Sequence, residues 1–355
     1  MVSLLAGLLV LTATAAAPQL ETTRICGPET DRIVLLGTAG GPTPSAVRAQ
    51  AATALVIGGT PYLFDVGDGS VRRLAEAGFP ANAVRHVFIT HNHFDHTGDL
   101  GLFLATAWFA DLPRPIEIVG PKGTREVVTE SLAAFRHSIE IFNSEVMRQP
   151  LRMDKDVIVR EVAPGGVVFE DERMKVRAYE NTHFAHLKPG TVAYGRDQSL
   201  SYRIETRGRV ITITGDSGAD EVIQRAAQNA DFLVSEVLDP VATRQFVNAR
   251  AKKYNYSPER AAGTIQHMLE THIQADMLGK IAANAKVKTV ILTHFVPNTG
   301  KDSSAFVNGV GEAFRGRIIA GQDLMEIPIN EVSGEVCRKA SQRFKNYKTD
   351  LSGED

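Results

Sequence analysis

Four side chains able to bind metal crowd six positions of this chain: His91, His93, Asp95 and His96. They stand between an apolar run at 86–90 and a helical stretch at 99–109. Imidazoles and a carboxylate packed at a strand end are costly unless something compensates them. A divalent ion does so, because neutral imidazole nitrogen and carboxylate oxygen are good ligands for zinc and similar metals. Alternation along an extended segment points His91 and His93 the same way. A turn at Asp95 and His96 then aims a second pair at a neighbouring ion. The competing account is an ordinary helix start, with Asp95 as N-cap and the histidines in solvent. A lone His-x-His would favour that account, whereas the full His-x-His-x-Asp-His pattern at a strand-to-helix junction favours metal.

Four ligands do not complete two ions, so the rest of the chain must supply more. Of the ten histidines, His183 and His294 stand just past predicted strands at 174–180 and 287–292, and Asp216 just past one at 210–214. Residues beyond strand ends are where sheet-based sites collect their groups. His186 offers the same chemistry three positions after His183. His86 reads as a strand residue, and His137 and His267 as residues on helix faces. Two ions close together lower the pKa of a shared water and give hydroxide near neutral pH, a nucleophile for phosphorus, sulfur or carbonyl centres. Asp95 would bind one metal and orient that hydroxide.

These groups need a scaffold, and the hydrophobic pattern supplies one. Strands are predicted over 32–36, 54–57, 62–65, 86–90 and 116–119, with helices over 71–77, 99–109 and 124–142. The middle is strand-rich, at 157–162, 174–180, 199–205 and 210–214. Helices at 220–227, 258–271 and 275–283 then alternate with strands at 232–237 and 287–292. Two sets of strands, each followed by helices, predict an α/β sandwich of two mixed sheets with helices outside. One compact unit is expected over 32–330, after a segment at 18–31 and before a polar tail at 331–355.

Composition narrows the setting. At 43% hydrophobic and 23% charged, the 355-residue chain is ordinary for a globular protein. A net charge of −2 lacks the basic excess common in nucleic-acid binders, so a nucleic-acid partner is not expected. Residues 2–13 form an uncharged, mostly apolar run that ends in small residues, too short to span a bilayer comfortably. Residues 1–17 therefore read as a signal peptide, and the protein as periplasmic or secreted, without stable membrane insertion. Such a peptide ordinarily opens on Lys or Arg, and here only the α-amino group is positive; a buried N-terminal strand is the alternative. Cys26 and Cys337 are the two cysteines, and export would permit a disulfide between them. No Cys-x-x-Cys spacing indicates a thiolate zinc site.

The chain resembles the metallo-β-lactamase superfamily, in the branch similar to tRNase Z and secreted arylsulfatase-like hydrolases. The resemblance is carried by residues 35–42 (Leu-Leu-Gly-Thr-Ala-Gly-Gly-Pro), 65–69 (Asp-Val-Gly-Asp-Gly), 90–96, 120–123 (Gly-Pro-Lys-Gly), 214–216 (Thr-Gly-Asp) and 293–295 (Thr-His-Phe). It implies an αββα sandwich with metals at one edge. His91, His93 and His183 would hold one ion, Asp95, His96 and His294 the other, and Asp216 would bridge them. Two divalent ions follow, zinc first, with manganese or iron also suited to the donor set. Glu236 and His272 match an acidic residue and a histidine of the tRNase Z branch, and would protonate the leaving group together.

The function expected from these features is hydrolysis of a phosphodiester or sulfate ester in a small anionic molecule. Lactone or β-lactam hydrolysis and tRNA 3′-processing are the alternatives, and a non-catalytic metal-binding scaffold a remote one. Superfamily relatives are often dimers, so a homodimer is expected as well. Specificity would lie in loops at 110–114, 184–197 and 296–304.

Overall fold

The computed structural model describes residues 30–330, apart from 112–114, 147–149, 299 and 301. The expected leader, both cysteines and the polar tail lie outside the described residues.

Strands β1 (Arg32–Gly37), β2 (Ala52–Ile57), β3 (Thr60–Phe64), β4 (His86–Phe88), β5 (Ile116–Gly120) and β6 (Val157–Glu161) belong to one sheet. Strands β7 (Val167–Glu170), β8 (Met174–Glu180), β9 (Leu200–Thr206), β10 (Arg209–Ile213), β11 (Phe232–Leu238), β12 (Thr289–Val296) and β13 (Arg317–Ala320) form the other, and β14 (Met325–Pro328) returns to the first. The orders are β14-β1-β2-β3-β4-β5-β6 and β13-β12-β11-β10-β9-β8-β7. The two sheets share one plan. Pairing is antiparallel from β14 to β3 and parallel from β3 to β6. In the second sheet it is antiparallel from β7 to β10 and parallel from β10 to β13.

Helices lie outside, as expected: α1 (Ser70–Glu76), α2 (Phe94–Thr97), α3 (Leu100–Phe109), α4 (Thr124–Val146) and α5 (Met153–Asp156) in the first half. The second half carries α6 (Glu221–Ala226), α7 (Pro240–Tyr254), α8 (Pro258–Thr271), α9 (Ala275–Asn284) and α10 (Ser304–Gly311).

Strand alternation explains why the central strands read as unbroken apolar runs. Ile33 and Leu35 face the layer between the sheets, against Tyr202, Ile211 and Ile291. Their neighbours Val34 and Leu36 face the other way, toward Leu74, Leu100 and Phe103 of the helices. In the second sheet Leu233 and Val290 likewise pack on Leu278 and Phe306. Both faces are covered, so both residue sets must be apolar. The strands at β7, β13 and β14 and the helices α2, α5, α7 and α10 were not among the expected elements; the three strands and the helices α2 and α5 have only four residues each, too few for a period to register.

Candidate metal centre

The parallel strands of both sheets run their C-terminal ends toward one edge, and the candidate residues leave from those ends. His91 to His96 follow β4, His183 follows β8, and Asp216 follows β10. One position differs from expectation. His294 lies inside β12 instead of beyond a strand end, and β11 runs on two residues past Glu236. Ser235 pairs with Leu292 and Val237 with Phe295, so Glu236 alone opposes Thr293 and His294. That extra residue is a β-bulge, and His294 sits in it with φ 42°. The bulge turns both side chains toward the edge while the ladder continues beyond them.

The donors converge in overlapping groups. Ligand atoms of His91, His93 and His183 lie within 4.8 Å of one another, as do those of Asp95, His96, Asp216 and His294. His93 Nδ1 is 3.1 Å from His91 Nε2 and 3.3 Å from His183 Nε2. Asp216 joins the groups: its Oδ1 is 3.3 Å from His96 Nε2 and 3.2 Å from His294 Nε2, and its Oδ2 is 3.9 Å from His91 Nε2. The ordinary helix start is not what forms. Asp95 and His96 are buried, and no side chain caps α2.

Ring orientation is fixed from behind. His183 Nδ1 donates to the Thr271 carbonyl at 2.9 Å, which leaves its Nε2 lone pair facing the cluster. His96 Nδ1 donates to Asp65 Oδ2 at 2.8 Å, which aims its Nε2 at the cluster. His186 instead meets the His183 carbonyl, and its ring lies tilted against that of His267 with centroids 4.4 Å apart. It is therefore His183 that joins the group. Asp65 is the residue sequence reasoning did not assign a role, although its Asp-Val-Gly-Asp-Gly segment was already conspicuous.

Electrostatics match a cation site. Burial, with His96 and His183 close by, holds His91 well below its ordinary pKa; burial does the same for His183. Both are thus neutral ligands. Burial would raise the Asp216 carboxyl, but the imidazoles of His294 and His96 outweigh it and hold Asp216 well below the usual carboxylate range. His96 Nε2 and Asp216 Oδ1 are buried without a hydrogen-bond partner. Buried polar atoms are normally satisfied, and a shared cation satisfies both at once. The residues present fit the metals that their types imply.

Beside this cluster His272 caps α8, and its Nδ1 lies 2.5 Å from Glu236 Oε2. The other oxygen of Glu236 accepts from the Ser217 backbone N–H at 2.5 Å, so the carboxylate is held at both ends. Burial opposes a charge on His272, but the Glu236 carboxylate raises its pKa to about 9. Asp216, Glu236, His272 and His294 are also close enough to form a third donor group. Glu236 already occupies Nδ1 of His272, so the nitrogen left for other chemistry is Nε2.

The model of the β-lactamase superfamily domain matches residues 62–295. Ribonuclease Z of Mycobacterium bovis (strain BCG / Pasteur 1173P2) is 30% identical over 305 residues, covering 84% of this chain and 98% of the relative. Among solved structures, the metallo-β-lactamase fold protein YhfI from Bacillus subtilis has a TM-score of 0.58 at 16% identity, covering 84% of this chain and 98% of its own. The short form of human tRNase Z has a TM-score of 0.57 at 22% identity, covering 84% and 100%. The sequence relative corrects the expected partner, a small anionic ester with nucleic acid disfavoured: a protein matching most of this chain carries the name of a ribonuclease. A net charge sums the whole surface, whereas a polyanion responds to local patches. With the sandwich, the converging donors and the matched domain in agreement, the chain belongs to the metallo-β-lactamase superfamily of hydrolases.

Proposed function

We propose that this chain is a metal-dependent ribonuclease that hydrolyses a phosphodiester bond of RNA, with tRNA 3′-processing the nearest known activity. The observation that carries this reading is the Glu236–His272 pair at 2.5 Å beside Asp216, in a chain 30% identical to Ribonuclease Z over 84% of its length. Cleaving a phosphodiester expels an alkoxide, a poor leaving group that benefits from a positioned acid.

His91, His93 and His183 would hold one divalent ion, and Asp95, His96 and His294 a second, with Asp216 shared. Zinc suits this donor set best. The ions supply charge that acidifies water and neutralises developing oxyanions. Asp95 also orients the attacking water. His272, protonated through its contact with Glu236, offers the Nε2 proton to the departing oxygen. Glu236 sets both the tautomer and the charge of that ring. Asp65 and the Thr271 carbonyl keep the ligand rings in register.

The test is a substrate panel on purified protein with zinc or manganese, together with metal quantification. RNA bearing a 3′ extension and bis(p-nitrophenyl) phosphate should both be cleaved. Turnover confined to an aryl sulfate or a β-lactam would sink the reading.

A further inference from the structure

The two residues of the Glu236–His272 pair are also the roots of a helical hairpin. Helix α7 begins four residues after Glu236, and α8 ends at Thr271 with His272 as its cap. The hairpin stands off the body: Thr243 and Val247 are the only buried residues of α7, and Thr271 the only one of α8. Fourteen residues of α8, at 1.5 Å each, place its tip roughly 21 Å from the site.

Residues 240–271 carry five cations, Arg244, Arg250, Lys252, Lys253 and Arg260, against Glu259 and Glu270, in a chain whose net charge is −2. Among the described residues, none of the five lies within ion-pair distance of a carboxylate. Arg250, Lys253 and Arg260, at the tip, lie on aromatic rings instead. Arg250 is 5.4 Å from the Tyr254 ring centroid and Lys253 5.2 Å, while Arg260 is 3.8 Å above Tyr256. The rings of Tyr254 and Tyr256 are themselves stacked at 6.3 Å, and Tyr254 is 53% exposed.

A guanidinium lying flat on a ring uses its face and leaves its N–H edge free for an oxyanion. The ring contacts also order the long side chains, which lowers the entropy lost when they bind. Like charges crowded at 250, 252 and 253 repel one another, and a polyanion relieves that repulsion. Basic groups interleaved with exposed aromatic rings are the chemistry of single-stranded nucleic-acid binding.

We propose that the α7–α8 tip is an RNA-docking surface, gripping the backbone of a substrate whose scissile bond lies at the metal centre. This rests on the ribonuclease reading for its choice of ligand.

The experiment compares the full-length, metal-loaded protein with a variant carrying Arg250→Ser, Lys252→Ser, Lys253→Ser and Arg260→Ser. The probe is a fluorescein-labelled single-stranded RNA of about 20 nucleotides, long enough to span the roughly 21 Å. The variant should bind it at least about tenfold more weakly, with a log–log salt slope shallower by about 3. Its melting temperature and its turnover of bis(p-nitrophenyl) phosphate should stay unchanged. Tyr254→Ala should weaken binding about tenfold with no change in salt slope. Equal RNA affinity and salt slope in the fourfold variant and the parent overturn the proposal, as does binding to phosphatidylglycerol vesicles without binding to RNA. A parent that binds RNA through these residues yet cleaves none keeps the docking surface and defeats the ribonuclease reading.

Discussion

Asp65 binds the metal-site segment at three points. Its Oδ2 accepts from His96 Nδ1 and from the Thr90 hydroxyl, each at 2.8 Å, and its Oδ1 accepts from the Thr90 backbone N–H at 2.8 Å. The carboxylate reaches this position from a left-handed backbone at the end of β3, with φ 58°. Metal-binding histidines depend on the group behind them for tautomer and aim. Asp65→Asn can no longer accept on both sides, so metal affinity should fall about 10- to 100-fold. Competition with a chromophoric chelator measures this; an unchanged affinity would show that Asp65 only supports the fold.

Asp216 stands with Asp95, His96 and His294 and comes within 3.9 Å of His91 Nε2, so in the proposed shared role its loss should affect both ions. Asp216→Ala should abolish phosphodiester cleavage, by about 10³-fold or more, and reduce metal content per chain. Elemental analysis decides the point, and retention of both metals would overturn the shared role.

The proton-donor reading of His272 makes two linked predictions. His272→Ala should lower kcat on RNA by about 10²- to 10⁴-fold, and do much less with p-nitrophenyl esters, whose leaving group departs without a proton. A histidine held near pKa 9 is a donor below that pH and loses its proton as pH rises through it. Glu236→Gln removes the charge that raises this pKa, so the alkaline limb of the kcat profile should move to lower pH. A limb that stays in place assigns that ionisation to another group.

The site was legible where side-chain type alone signals chemistry, and dim where position depends on the partner strand. His91, His93, Asp95 and His96 stand together in sequence, and the structure brings them together in space. His294 was expected beyond a strand end, because the bulge that it shares with Glu236 exists only in the pairing of β11 with β12. Asp65 reads as the last residue of a strand until the fold lays the end of β3 beside Thr90. The sandwich itself was legible because fully buried strands carry long apolar runs. Net charge misled because it sums basic and acidic residues that lie on different parts of the chain.

Metal removal should couple to both stability and pH. Burial opposes protonation of His96, but Asp216, Asp65 and Asp95 outweigh it and raise its pKa well above the ordinary value. In the metal-free protein His96 is therefore protonated, and metal must displace that proton. Zinc uptake should strengthen as pH rises through the neutral range, with proton release measurable by calorimetry in buffers of different ionisation enthalpy. At a hundredfold excess over Kd, zinc should add about 2.7 kcal/mol of stability. Chelation that leaves the melting temperature unchanged would argue against a buried metal site.

Gly215 is the position where backbone shape and site geometry meet. It takes φ +59°, and a Cβ there would stand 2.7 Å from the Cβ of Thr90. A side chain therefore pays twice, once for the left-handed backbone and once for the collision. Gly215→Ala should cost about 1–3 kcal/mol of stability. The displacement also acts on both neighbours of the clash: Thr90 precedes His91 and bonds Asp65, and Asp216 follows Gly215 directly. Metal affinity should consequently fall together with stability. Urea titrations of the metal-free protein, run beside zinc titrations, separate the two effects. Full metal affinity in a destabilised Gly215→Ala would show that Thr90 and Asp216 are positioned independently of this contact.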